Sequence, residues 1–225
     1  LIFGLISFVT IIILIIYSNK ICLKFNILDF PNKRKSHLKP ISLSGGIVIF
    51  LGILIFCLIS VNINIVKIDF YVDIIFYSSI FFIFGLYDDL KQPKTIYKIF
   101  LIISFLVSIL FYSEIYILNN LQFKYLKFLD TNLSFLSIPF TVFCIFMFFN
   151  ALNYSDGKNG ISISYSIYLS LYFIFYSNID ATLFLYFILI LITLLIFNLR
   201  NILFLGNNGI NFVSIFLSLY LIKSY

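Results

Sequence analysis

The chain has 225 residues, of which 62% are hydrophobic and 11% charged; its mean hydropathy is +1.12 and its net charge +6. A soluble domain carries about 25% charged residues, and a water-exposed fold of this length has too much surface to hide so much apolar material. An ordinary soluble domain is therefore excluded, and because the cations gather in short loops between apolar runs, membrane orientation rather than nucleic acid accounts for the charge.

A spanning helix needs about 20 apolar residues, with a range of about 17–25. Eight runs qualify as candidates: 1–17, 43–61, 70–87, 97–113, 134–152, 161–177, 182–199 and 209–222. The first lacks the basic start and small-residue cleavage site of a signal peptide, so it reads as a span. Ile and Phe fill the runs without period-2 alternation, which argues against a membrane barrel. Helices satisfy the backbone within lipid. The expected fold class is all-α: a polytopic transmembrane helical bundle of eight spans, one domain over 1–225. The chain opens at Leu1 and stops at Tyr225 straight after an apolar run, so it is expected to be a fragment lacking its last spans.

If the first span starts outside, loops 18–42, 88–96, 153–160 and 200–208 share one side. The first holds Lys20, Lys24, Lys33, Arg34, Lys35 and Lys39. The second region adds Lys91, Lys94 and Lys98, the third Lys158 and the fourth Arg200, which makes eleven of the fifteen cations. The positive-inside rule makes that side cytoplasmic. The outer side keeps Lys67, Lys124, Lys127 and Lys223, and its longest loop, 114–133, carries Glu114 and Asp130. Cys22, Cys57 and Cys144 lack C-x-x-C spacing and, with a single histidine, leave no zinc site.

Four polar clusters fall on the cytoplasmic side. The first, Asp29 to Gly46, combines Arg34, Lys35 and His37 with a glycine pair. It suits either anionic headgroups or a phosphate held by cations and close backbone. The second contains Asp88 and Asp89, followed by Lys91, Lys94 and Lys98. The lysines could simply offset carboxylate repulsion, or the pair could serve divalent-cation or phosphate chemistry. In the third, Asn150 and Asn153 stand at i, i+3 on one helix face ahead of Asp156, Asn159 and Gly160. A helix end with Asx turns explains much of it, but amides at a span end are costly unless they line a polar cavity. The fourth, Asn198 to Gly209, is a Gly-rich turn feeding a span N-terminus, where an anion or a plain turn fits equally.

In this order the clusters resemble the polyprenyl-phosphate N-acetylhexosamine-1-phosphate transferases. The residues that match are Pro31, Asn32, Arg34, Lys35, His37, Pro40, Gly45 and Gly46, then Gly85, Asp88, Asp89 and Lys98. Asn150, Ala151, Asn153, Asp156, Gly157 and Gly160 follow, and then Phe204, Leu205, Gly206 and Gly209. Two positions depart from the family pattern. Asn159 replaces a second Asp, and Asn207 replaces an Asp that ligates Mg²⁺. The family's later His-rich loop is not in the sequence.

The resemblance implies transfer of a HexNAc-1-phosphate from a UDP-N-acetylhexosamine to polyprenyl phosphate. UMP leaves, and a lipid intermediate of cell-wall or other envelope polysaccharide results. By carry-over, Asp88, Asp89 and Asp156 are catalytic. Arg34, Lys35, His37, Lys98, Asn150, Asn153 and Asn159 bind substrate. Asp88, Asp89 and Asn207 hold the cofactor, Mg²⁺ or Mn²⁺. The implied setting is the lipid bilayer of the bacterial plasma (inner) membrane, multi-pass, with the active face cytoplasmic and no nucleic acid partner; a homodimer is also admitted. The competing readings are a truncated or catalytically impaired member and a membrane transporter.

Overall fold

The computed structural model describes residues 2–31, 39–63, 69–122, 130–156, 160–176 and 181–224. Eight α-helices follow one another: α1 Ile2–Lys24, α2 Gly45–Ile63, α3 Asp69–Lys91, α4 Thr95–Tyr112, α5 Ser137–Ser155, α6 Ile161–Tyr176, α7 Thr182–Leu199 and α8 Gly206–Ser224. Two short antiparallel pairs accompany them, β1 Leu28–Asp29 with β2 Ile41–Ser42 and β3 Asn120–Leu121 with β4 Thr131–Asn132, along with single 3-10 turns at Glu114–Tyr116 and Ser134–Leu136. The fold is an all-α polytopic bundle, as the apolar runs predict.

Five segments are long and apolar enough to cross a membrane: Ile6–Lys24, Phe70–Lys91, Thr95–Tyr112, Ser134–Ser155 and Thr182–Leu199. The apolar parts of α2 and α6 are shorter. The helices run past the apolar stretches, because backbone hydrogen bonding continues once the side chains turn polar. Lys20 and Lys24 thus lie in the last turns of α1 rather than in a loop, and Asp88 and Asp89 lie in the last turn of α3. A backbone bond from Gln92 to the Asp88 carbonyl, 2.9 Å, closes that helix.

Helix α8 forms the centre, buried from Asn208 through Tyr220 and packed by α2, α3, α5 and α6. Phe212, Phe216 and Tyr220 recur at four-residue spacing and so share one helix face. They meet aromatic rings of neighbouring helices; Phe184 stands edge-on to Tyr220 at 4.4 Å between centroids, and Tyr71 stacks on Tyr220 at 6.2 Å. Several serine hydroxyls inside the bundle are satisfied by their own helices. Ser166 and Ser170 of α6 donate to the Ser162 and Ser166 carbonyls, each at 2.7 Å, the expected solution where no water competes.

At the end where α3 begins and α8 finishes lies a polar tie that the sequence reading missed. Lys223 donates to both Asp73 oxygens, at 2.8 and 3.0 Å, and to the Phe70 carbonyl at 2.8 Å. Tyr116 of the 114–133 connection also donates to Asp73, and its ring lies 5.8 Å from the ammonium. Asp73 sits only four residues inside α3, so span counting treats it as part of a helix end.

Candidate functional site

The site forms at the opposite end, where α3 ends and α8 begins. The β1–β2 hairpin is fixed there by its base. The Leu43 N–H donates to the Ile27 carbonyl at 3.1 Å, Phe204 donates to the Ser42 carbonyl at 2.9 Å, and Gly45 donates to the Phe204 carbonyl at 2.9 Å. The first and fourth sequence clusters are therefore joined through backbone bonds. Arg34, Lys35 and His37 lie outside the described residues, as does Asn159.

Glycines let three helix backbones converge. A Cβ on Gly46 would stand 1.8 Å from Asn208 Oδ1 and 2.2 Å from the Gly209 nitrogen. A Cβ on Gly85 would stand 2.3 Å from the Asn207 carbonyl oxygen. Only glycine allows α2 and α3 to approach the first turn of α8 this closely, the small-residue packing familiar from membrane helices.

That approach brings Asp89 onto the α8 N-terminus. Asp89 Oδ1 accepts the backbone N–H and side-chain amide of Asn207, at 3.0 and 2.9 Å. Oδ2 accepts the same two groups of Asn208, at 3.0 and 2.6 Å. The Asn208 amide also donates to the Leu43 carbonyl at 3.1 Å. A carboxylate satisfies the orphan N–H groups of a helix start and is favoured by its dipole. Asp89 is thus a cap supplied by another helix.

Asp88, the residue before it in α3, faces a different space. It is buried and ion-paired with Lys98 of α4. Both line a cleft of ≈ 190 Å³ between α3, α4 and α5. Asn150, Asn153 and Asn211 join them at its polar end, and Phe84, Ile99, Ile102, Phe146 and Phe149 are among its apolar walls. Asn150 donates to the Phe146 carbonyl at 2.8 Å. Residues from the second and third sequence clusters thus share one cavity. Asn211 of α8, which the motif reading did not single out, joins them from the central helix.

Asp156, just past α5, accepts a hydrogen bond from Ser162 Oγ at 2.7 Å. Burial pushes its carboxyl up to about 6; the Ser162 bond opposes the rise, and the charges of Asp89 and Asp29 add to it. The described parts of all four clusters therefore lie within contact or electrostatic reach of one another.

Residues 71–225 match the family described as glycosyl transferase family 4. The chain belongs to that family. It is the family of phospho-N-acetylmuramoyl-pentapeptide and N-acetylglucosamine-1-phosphate transferases, so the chain is a polyprenyl-phosphate sugar-1-phosphate transferase in kind and a multi-pass membrane protein. Comparison with curated proteins gives no match. Asp88, Asp89, Lys98, Asn150, Asn153, Asp156 and Asn207 all fall inside the glycosyl transferase family 4 match, and the basic loop and Gly45–Gly46 precede it.

The metal that the resemblance implies does not fit the residues assigned to it. Asp89 is enclosed by N–H donors, Asn207 turns its amide nitrogen toward Asp89, and Asp88 is engaged by Lys98. For this member of glycosyl transferase family 4, what the site offers an anion is Lys98 beside an apolar wall.

Proposed function

We propose that the chain transfers a HexNAc-1-phosphate from a UDP-N-acetylhexosamine to polyprenyl phosphate, with the site on the cytoplasmic face. Family membership supports the reaction class. The observation that carries the reading is the Asp88–Lys98 pair at the polar end of an apolar-walled cleft. A lipid phosphate has the same polarity profile, with a charged head and a hydrocarbon tail. A nucleotide sugar is soluble while the tail stays in the bilayer, so a site at the ends of α3, α4 and α5 reaches both.

In the reaction, a lipid-phosphate oxygen attacks the β-phosphorus of the UDP-sugar. The P–O bond to UMP breaks, and UMP departs with the electron pair. Two anions must meet, so neutralisation and alignment dominate the barrier. Lys98 supplies a fixed cation to a phosphate, and Asp88 sets where the ammonium sits. Asn150 and Asn153 offer amides to the sugar or phosphate. Arg34 and Lys35 add positive charge from the segment between β1 and β2, where His37 also stands in sequence, and that cationic bias supports a cytoplasmic orientation.

A second reading rests on Asn207, which brings no negative charge to the site. It is a family member that binds substrates but turns them over slowly. Membranes holding the protein, incubated with radiolabelled UDP-N-acetylhexosamines and polyprenyl phosphate, test both. Labelled lipid that disappears in Asp88→Asn supports transfer. Nucleotide-sugar binding without labelled lipid supports the impaired reading, and unaltered turnover in Asp88→Asn sinks the role given to the cleft.

A further inference from the structure

The contacts around Asp89 are those of a closed clasp. A carboxylate presents about four lone-pair positions, and four N–H groups of Asn207 and Asn208 fill them at 2.6–3.0 Å. These donors open α8, whose N-terminus carries roughly half a positive elementary charge, so the helix attracts Asp89 and repels a cation. Space is short as well. A Cβ on Gly206 would already stand 2.9 Å from Asp89 Oδ2, and Gly85 lies against the Asn207 and Asn208 backbone. A hard cation needs several oxygen ligands around it, and the groups that converge on Asp89 are donors.

We propose that the Asp89–α8 junction is a cation-free clasp, in which the N–H groups of Asn207 and Asn208 supply the neutralisation a divalent ion would supply. Asn207 sets this choice. An aspartate at 207 would remove one donor and place a second carboxylate against Asp89, a pair that needs a cation or a proton between its members. The proposal rests on the transferase reading only for the expectation of a metal at Asn207, and its test does not use transfer.

The test uses the full chain in detergent, with MnCl₂ titrated by electron spin resonance of the free ion. Thermal unfolding is followed with MgCl₂ or with NaCl of equal ionic strength. The wild type should leave free Mn²⁺ undiminished and melt at the same temperature in both salts. Asn207→Asp should hold one Mn²⁺ per chain, melt below the wild type in EDTA, and regain roughly 2 °C or more with Mg²⁺. One Mn²⁺ held by the wild type and released by Asn207→Ala overturns the clasp. Wild-type Mn²⁺ that survives Asn207→Ala but is lost in Asp88→Asn places the ion in the cleft and leaves the clasp standing. A folded Asn207→Asp that gains no Mn²⁺ refutes the control given to residue 207. If Asn207→Asp does not fold, the wild type and Asn207→Ala still decide. Failure of lipid labelling with these results intact counts against the transferase reading alone.

Discussion

Asp89 and Asn208 lie far apart in sequence yet form a double contact: the Asn208 backbone N–H and side-chain amide both donate to Asp89 Oδ2, at 3.0 and 2.6 Å. The bond ties the last turn of α3 to the first turn of the central helix. Asp89→Asn should remove the charge and aim an NH₂ group at existing donors. Hydrogen bonds to charged groups contribute about 1.5–3 kcal/mol each, so the loss should reach ~3 kcal/mol. It is measured as a lower melting temperature in detergent, and an unchanged value refutes the anchor.

Gly46 and Gly52 lie on the same helix and should respond differently to alanine. At Gly46 the new methyl meets Asn208 Oδ1 and the Gly209 backbone, which cannot yield unless α2 and α8 separate. At Gly52 it meets the Ile190 Cδ1 tip at 2.8 Å, a flexible side-chain end. Overpacking costs about 1–3 kcal/mol. Gly46→Ala should exceed that range or abolish folding, and Gly52→Ala should stay near its lower end. Paired melting curves test the order.

Lys98 and Lys94 share the start of α4, but only Lys98 lines the cleft. Replacing one preorganised group that stabilises reaction charge costs about 100-fold or more in rate. Lys98→Ala should therefore lose that much lipid labelling, and exposed Lys94→Ala should lose little. Equal effects would assign both lysines to a general surface charge.

Lys223→Met leaves the Asp73 carboxylate with its ammonium partner removed, within the Tyr116 and Phe70 surroundings. Asp73 is a third exposed, so losing one partner of this half-buried pair should cost about 1–3 kcal/mol rather than the larger penalty of a fully buried one. The double variant Asp73→Asn, Lys223→Met should be less harmed than Lys223→Met alone, because no uncompensated charge remains. A double-mutant cycle by thermal unfolding measures the coupling.

The Asp156 carboxyl is raised from 3.8 to about 6. A raised acid favours its neutral form in the folded state, so folding is penalised above pH 6 and relieved as pH falls toward the unfolded value near 4. Asp156→Asn should melt above the wild type at pH 7.5, with the difference fading by about pH 4. A constant difference across that window would assign it to the Ser162 contact instead.

The helices and the end of the bundle that carries the motifs were legible because both depend on composition along the chain. Runs of Ile and Phe need lipid, and seven of the eight helices end within about a turn of those runs, while α1 runs two turns past its own, to Lys24. The Asn150–Asn153 pair was legible for the same reason, since i, i+3 spacing fixes a shared face.

What the sequence determined by itself is the solvent: a chain this apolar spans lipid as helices, and its polar residues collect where the spans end. The tertiary structure decided which partners those residues take. It separated two adjacent carboxylates, giving Asp88 to Lys98 and the cleft, and Asp89 to the α8 N-terminus. It also turned Gly46 and Gly85 into close helix crossings and joined Asp73 to Lys223. Apart from Asp88 and Lys98, which sit on consecutive helices, these contacts join segments remote in sequence, and local pattern carries no distance across that separation.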